Sequence, residues 1–189
     1  MEKNYRVTTF VMDSGERYCM VVDRASGLPM YYPTLFLTTQ IRNKGNAFST
    51  TLAAANNLVL LLRFLESRDI NLEQRFLTKD FFKPHELDDL RDFAQRKQVR
   101  MPSKALSNPW LDDELTNIVD NGTQHSRLTT FANYLRWYAM HILKMPELDV
   151  VEQINAMAEQ IKTRRPSKQG RNGDLQDKSL SDVQLDALS

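Results

Sequence analysis

Cysteine is almost missing from this chain: Cys19 stands alone among 189 residues. One thiol excludes an internal disulfide and fits a reducing compartment. An excess of charge of one sign is missing too. Lys and Arg number 25 against 24 Asp and Glu, a formal net charge of +1. No global field draws in nucleic acid, so an anionic partner has to be met by a local patch. No uninterrupted run of about 18 apolar residues occurs, and no membrane span is expected. The opening MEKNYRVTTF lacks the apolar core of a secretory signal. The expected setting is the cytoplasm.

Nucleotide and catalytic signatures are scarce as well. The six glycines make neither G-x-G-x-x-G nor G-x-x-x-x-G-K-[ST], and no G-x-S-x-G elbow occurs. His85, His125 and His141 are far apart, with no i, i+4 pair and no partner cysteines for zinc. Asp88, Asp89, Asp112, Asp113 and Glu114 cluster beside helix starts, where carboxylates complement the helix dipole. No metal, cofactor or catalytic set is expected.

What the chain does have is pattern. Residues 5 to 12 and 17 to 23 are β-branched and aromatic, with Asp13-Ser14-Gly15-Glu16 between them, a hairpin signal. Ser26-Gly27 marks a second turn. Leu28 to Tyr32 reads as a short third strand, kept to an edge by Pro29 and Pro33. From residue 34 the spacing turns helical. A short helix is expected at 34 to 42 and a long one at 49 to 68. Another opens at Pro84, its stripe Leu87, Leu90 and Phe93 or Ala94. Residues 98 to 122 are broken by Pro102 and Pro109, with a short helix at 111 to 118. Helices follow at 124 to 143 (Leu128, Phe131, Leu135, Tyr138 or Ala139, Ile142) and at 149 to 164 (Val150, Val151, Ile154, Met157, Ile161).

The expected fold is mainly α (α+β): a small N-terminal antiparallel hairpin or meander, then four to five helices. It divides into a β-rich arm (1–33), a helical domain (34–163), a basic flexible linker (164–179) and a final segment, LSDVQLDALS (180–189), with the spacing of a helix start. The linker, RRPSKQGRNGDLQDKS, is too polar to bury a core.

Three groups of residues suit an anion. Lys44 and Asn46 lead into Ser49, Thr50 and Thr51 at the start of the 49–68 helix. Hydroxyls and free N–H groups at such a start can bind phosphate, although Ser and Thr are also ordinary helix caps. Thr123, Gln124, Arg127, Thr130 and Arg136 repeat the design on the 124–143 helix. With Asn133, the last three form a row spaced by three residues. Such helices could enter a major groove together; the plainer alternative is two capped bundle helices. Arg164, Arg165, Lys168 and Arg171 make the linker either a phosphate-following strap or a solvated connection. Trp137 and Tyr138 read as core rather than as a base-stacking platform.

In succession these segments resemble the N-terminal core-binding domain of tyrosine recombinases, the phage-integrase family. The residues that carry the likeness are Asp23 to Pro29, then Ser49-Thr50-Thr51 followed by Leu61 to Leu65, then Arg127 to Trp137, and last a linker into Leu180 to Leu185. The resemblance implies an orthogonal helical bundle that clamps duplex DNA together with a catalytic domain. Residues 180–189 then match the entry to that domain, whose Arg, Lys, His and nucleophilic Tyr are not in this chain. By position, Thr50 and Thr51 match the family's phosphate-contacting helix start, and Arg127 and Arg136 match basic positions of its DNA-facing helix. The implied partner is double-stranded DNA. The expected states are a monomer or weak dimer when free, with higher oligomers on DNA. A helical protein–protein interaction domain is the alternative.

Overall fold

The computed structural model describes residues 4–97 and 118–167. The expected helix at 111–118 lies outside these apart from Ile118, as do Lys168, Arg171 and the 180–189 segment.

Strands β1 (Tyr5–Val11) and β2 (Arg17–Asp23) pair antiparallel, with Tyr5 opposite Asp23 and Val11 opposite Arg17. Gly15 supplies the positive φ of 80° that the turn needs. Cys19 and Val21 point inward and are fully buried. The expected third strand does not form. Leu28 to Tyr32 contributes one bridge, Val22 to Pro29, and Tyr31 already begins a helix. Pro33 sits in that helix's first turn, where its missing N–H costs no intrahelical bond.

Helix α1 (Tyr31–Phe36) runs on as a π turn over Leu37–Ile41 and a 3-10 turn over Arg42–Lys44, and Gly45, at φ 77°, ends the run. Then come α2 (Phe48–Ser67), α3 (Leu72–Leu77), α4 (Pro84–Gln95), α5 (Asn121–Leu143) and α6 (Leu148–Thr163). The protein is thus mainly helical behind a two-stranded sheet. Four helices lie close to their expected bounds. Helix α3 was not foreseen: it is one and a half turns long, capped by the Asn71 side chain on Gln74 N at 3.1 Å, and it buries only Leu72 and Phe76.

Helix α2 is the central rod. By length and composition it is apolar enough to cross a bilayer (mean hydropathy 1.3), although Asn56, Asn57 and Arg63 interrupt its apolar run. Nine of its residues, among them Ala54, Ala55, Leu58, Leu61 and Phe64, are buried in the protein's own core. They share one cluster with Leu128, Phe131 and Leu135 of α5, Leu87 and Leu90 of α4, and Ile154 and Ile161 of α6, which packs on α5 and α4. Cys19 and Val21 join the same cluster, so the hairpin and the helices share one hydrophobic core. Each large side chain buried this way contributes about 1.5–3 kcal/mol.

Candidate nucleic-acid interface

The first turn of α2 lacks a side-chain cap: Ala47 occupies the N-cap, and the Thr50 and Thr51 N–H groups both turn back to its carbonyl at 3.0 and 3.2 Å. The N–H groups ahead of them face outward without an intrahelical acceptor. Thr50 and Thr51 then part company, because successive helical residues are rotated by about 100°. Thr50 is exposed, whereas Thr51 is 5% exposed and turns into the protein.

Beside this turn opens a cleft of about 720 Å³, walled by the 36–46 segment, by α2 and by the outward face of α5. Its charged members are Lys44, Arg136 and Arg165, with the His125 imidazole. Asn46, Thr50, Ser126, Thr130 and Asn133 supply amides and hydroxyls, and Phe36, Trp137 and Met140 supply apolar wall. Among the described residues no Asp or Glu lines it. Glu159 feels Arg165 and Arg136, but it is already bound by Lys162 at 2.7 Å, and that bond first holds its carboxyl below the usual range.

Short bonds shape the walls. Lys44 Nζ donates to Gln40 Oε1 at 3.3 Å, and Asn46 Nδ2 to the Ile41 carbonyl at 3.0 Å. Arg136 Nε donates to Asn155 Oδ1 at 2.7 Å, which anchors one edge of the guanidinium while the residue stays exposed. Arg165 reaches back from the end of α6, donating to the Lys162 carbonyl at 2.9 Å and to Thr129 Oγ1 at 3.2 Å. His125 Nδ1 lies 3.2 Å from the Pro166 carbonyl, so this nitrogen carries the proton.

Four expected contact residues do other work. The α5 start is already occupied: the Asp120 carboxylate accepts from Thr123 N at 3.0 Å and from Thr123 Oγ1 at 2.5 Å, and those bonds hold its pKa low. An anionic cap fills the place a phosphate would take, so of the two helix starts only that of α2 is open. Gln124 is buried beside this cap. Arg127 sends Nη1 to the carbonyls of Ala94 and Arg96 at 2.6 and 2.9 Å and closes the C-terminus of α4. Arg164 is pinned by Asp88 at 2.7 Å and by the carbonyls of Gln160 and Pro84; at this residue the basic segment is docked rather than strap-like. Ser49 is exposed but outside the cleft.

The row from Arg127 to Arg136 also divides. Steps of three residues fall short of a full turn by about 60° each, so nine residues bring the side chain about 180° round the helix. Thr130, Asn133 and Arg136 line the cleft; Arg127 does not. Trp137 packs against the core, as its spacing predicts, and also borders the cleft, as does Gln40, which no sequence motif singles out. Their only signal was helical phase: Trp137 follows Asn133 by four residues.

Chemically, a cleft with three cations, several neutral donors, an open helix start and no acid among its described lining residues is suited to an oxyanion. Compared with protein-family models, curated proteins and solved structures, the chain finds no match in any of the three.

Proposed function

We propose that this chain is the DNA-binding module of a site-specific tyrosine recombinase, gripping the phosphate backbone of duplex DNA along the α2–α5 cleft. Strand exchange belongs, in this reading, to the catalytic domain that the resemblance places after the 164–179 linker. The observation that carries the proposal is the joining of Lys44, Asn46, Thr50, Thr130, Arg136 and Arg165 around one cleft with no carboxylate among the described residues that line it. These residues come from segments as far apart as 44 and 165, and the net charge of +1 does not require their convergence. Hydroxyls and amides at the rim position a backbone, while Trp137 and Met140 offer apolar contact to sugars or thymine methyls.

The test is duplex binding at two salt concentrations. Affinity for mixed-sequence DNA falls steeply between about 50 and 200 mM salt when several phosphates are neutralised. Lys44→Glu with Arg136→Glu removes most of the binding seen at low salt. Equal affinity in wild type and double variant overturns the proposal.

A second reading draws on another face. Tyr5, Tyr32, Tyr134 and Tyr138 line a cleft of about 620 Å³ with Glu66 and Glu73 at its edge, and Tyr31 beside it is 67% exposed. Such a surface suits a protein partner. A tight homodimer in light scattering, with no affinity for DNA, favours it.

A further inference from the structure

The second cleft, of about 620 Å³, lies where α1, the end of α2, the start of α3 and α5 meet. It differs from the cationic cleft in both sign and chemistry. Tyr31, Tyr32, Tyr134 and Tyr138 line it together with Asp69 and Glu73. Among the described residues no Lys, Arg or His lines it.

The fold brings these groups together. Helix α2 ends at Ser67, and the chain turns through Asp69, at φ 52°, before Asn71 caps α3. A short acidic side chain tolerates that left-handed conformation. Glu66 also borders the cleft, but it already accepts the Asn4 side-chain amide, and its charge bears on Arg63. Arg68, in the same turn, pairs with Asp89 of α4 at 3.1 Å. The His141 ring meets Tyr32 at 5.8 Å from outside the cleft and stacks on Trp137. Asp69 and Glu73 form no ion pair among the described residues.

The rings are a connected group. Tyr32 meets Tyr138 edge to face at 4.8 Å and Tyr31 at 5.1 Å, and Tyr134 stacks on Tyr138 at 5.8 Å. Tyr134 is 2% exposed and Tyr138 5%, yet neither hydroxyl has a hydrogen-bond partner among the described residues. A buried phenol ordinarily finds one. Burial is the first cause that raises both pKa values; the Tyr138 and Tyr32 phenols add to it for Tyr134, and Glu73 and Tyr32 for Tyr138. The phenols of Tyr32, Tyr134 and Tyr138 thus converge, with the Glu73 carboxylate next to Tyr138.

Unmet oxygen acceptors, electron-rich ring faces and unpaired carboxylates require one chemistry. The occupant has to donate several hydrogen bonds, carry positive charge and lie flat on a ring. Guanidinium does all three, whereas an ammonium is compact and strongly hydrated. The carboxylates repel phosphate. We infer that this cleft takes an arginine side chain from a basic segment of a partner protein, its charge met by Glu73 and Asp69 and its plane laid on the tyrosine rings. The inference rests on the second reading, a protein partner at this face, and is independent of DNA binding. Helix α5 serves both clefts, with Asn133 and Arg136 in the cationic one and Tyr134 and Tyr138 in this one, so DNA and a basic protein can be held together.

The test is isothermal titration of the full chain with a capped Gly-Arg-Gly-Arg-Gly peptide and with versions carrying lysine or citrulline in place of arginine. Citrulline keeps the shape and removes the charge. The arginine peptide is expected to bind, and the citrulline peptide to bind about tenfold more weakly. Glu73→Gln and Tyr31→Ala, both at exposed positions, each weaken the arginine peptide about two- to fivefold, with circular dichroism as a check on folding. Equal binding of the arginine and citrulline peptides overturns the inference while leaving a protein-docking face. Lysine binding as tight as arginine overturns the guanidinium assignment. Unchanged affinity in both variants places the peptide elsewhere and overturns the site, as does no binding at all. Self-association in light scattering that the arginine peptide reverses seats a second copy in the cleft and overturns the assignment to a different protein.

Discussion

Asn57 on α2 donates its side-chain amide to Thr130 Oγ1 on α5 at 3.0 Å. This bond, with a longer one to Ser126 Oγ at 3.4 Å, ties the two helices together behind Ser126 and Thr130, which line the cationic cleft. Thr130 still donates to the Ser126 carbonyl at 3.0 Å, so its hydroxyl keeps one partner when Asn57 is lost. Asn57→Leu is therefore expected to lower stability by only about 1 kcal/mol and to weaken duplex binding by loosening the cleft wall. Thermal unfolding and a DNA titration on the same sample check both parts.

Arg127 has a different role from Arg136 despite their matching places in the helical row. Arg127→Met leaves the Ala94 and Arg96 carbonyls without their charged donor and opens the end of α4. A loss of about 1–3 kcal/mol follows, read as a lower urea midpoint at unchanged m. Arg136→Met, at an exposed position, leaves stability within about 0.5 kcal/mol of wild type and weakens DNA binding instead.

Acid should act through Glu86. Its carboxylate takes both ends of the Arg75 guanidinium, at 2.7 and 3.0 Å, and the Lys83 N–H at 2.8 Å. The Arg75 bonds are the main cause of its lowered pKa. A carboxyl whose folded pKa is depressed stabilises the fold above its unfolded value, near about 4.3, and that contribution is lost as pH falls through the lower folded value. Glu86→Gln is expected to lower stability by about 1.5 kcal/mol at pH 7. The two proteins converge as pH drops toward 2, and a gap that persists there contradicts the assignment.

Asp120 sets the charge at one end of the cleft. A Cβ on Gly122, which lines the cleft, would lie 3.0 Å from Asp120 Oδ1. Asp120→Asn keeps a good N-cap and removes one negative charge from the mouth. Duplex affinity is expected to rise about two- to fivefold at low salt, with the melting temperature little changed. Weaker binding in this variant argues against phosphate in the cleft beside Gly122.

Long amphipathic helices were legible because their apolar residues recur with the helical period and their ends carry Pro84, Asn121-Gly122 or Pro146. Helix α3 was not, since two apolar residues four apart make no stripe. Leu28 to Tyr32 looked like a strand because Leu, Met and Tyr suit strands as well as helices. Packing of Phe36 against the Tyr134 and Trp137 rings of α5 belongs instead to a helix that begins at Tyr31. Within the site, residue type pointed to Lys44, Thr50 and Arg136. Residue type could not show that Thr51 faces inward, that Asp120 fills the second helix start, or that Arg127 and Arg164 spend their charge on carbonyls and Asp88. Those outcomes depend on which neighbour the fold delivers, and neighbours such as Ala94 and Asp88 are distant in sequence.

The most direct measurement is amide chemical-shift mapping of the wild-type chain titrated with a short duplex at low salt. Shifts concentrated at Lys44 to Thr50, Gly122 to Arg136 and Arg165, and reversed by added salt, are the predicted result. Shifts confined to the Tyr31–Glu73 face, or none at all, contradict the account.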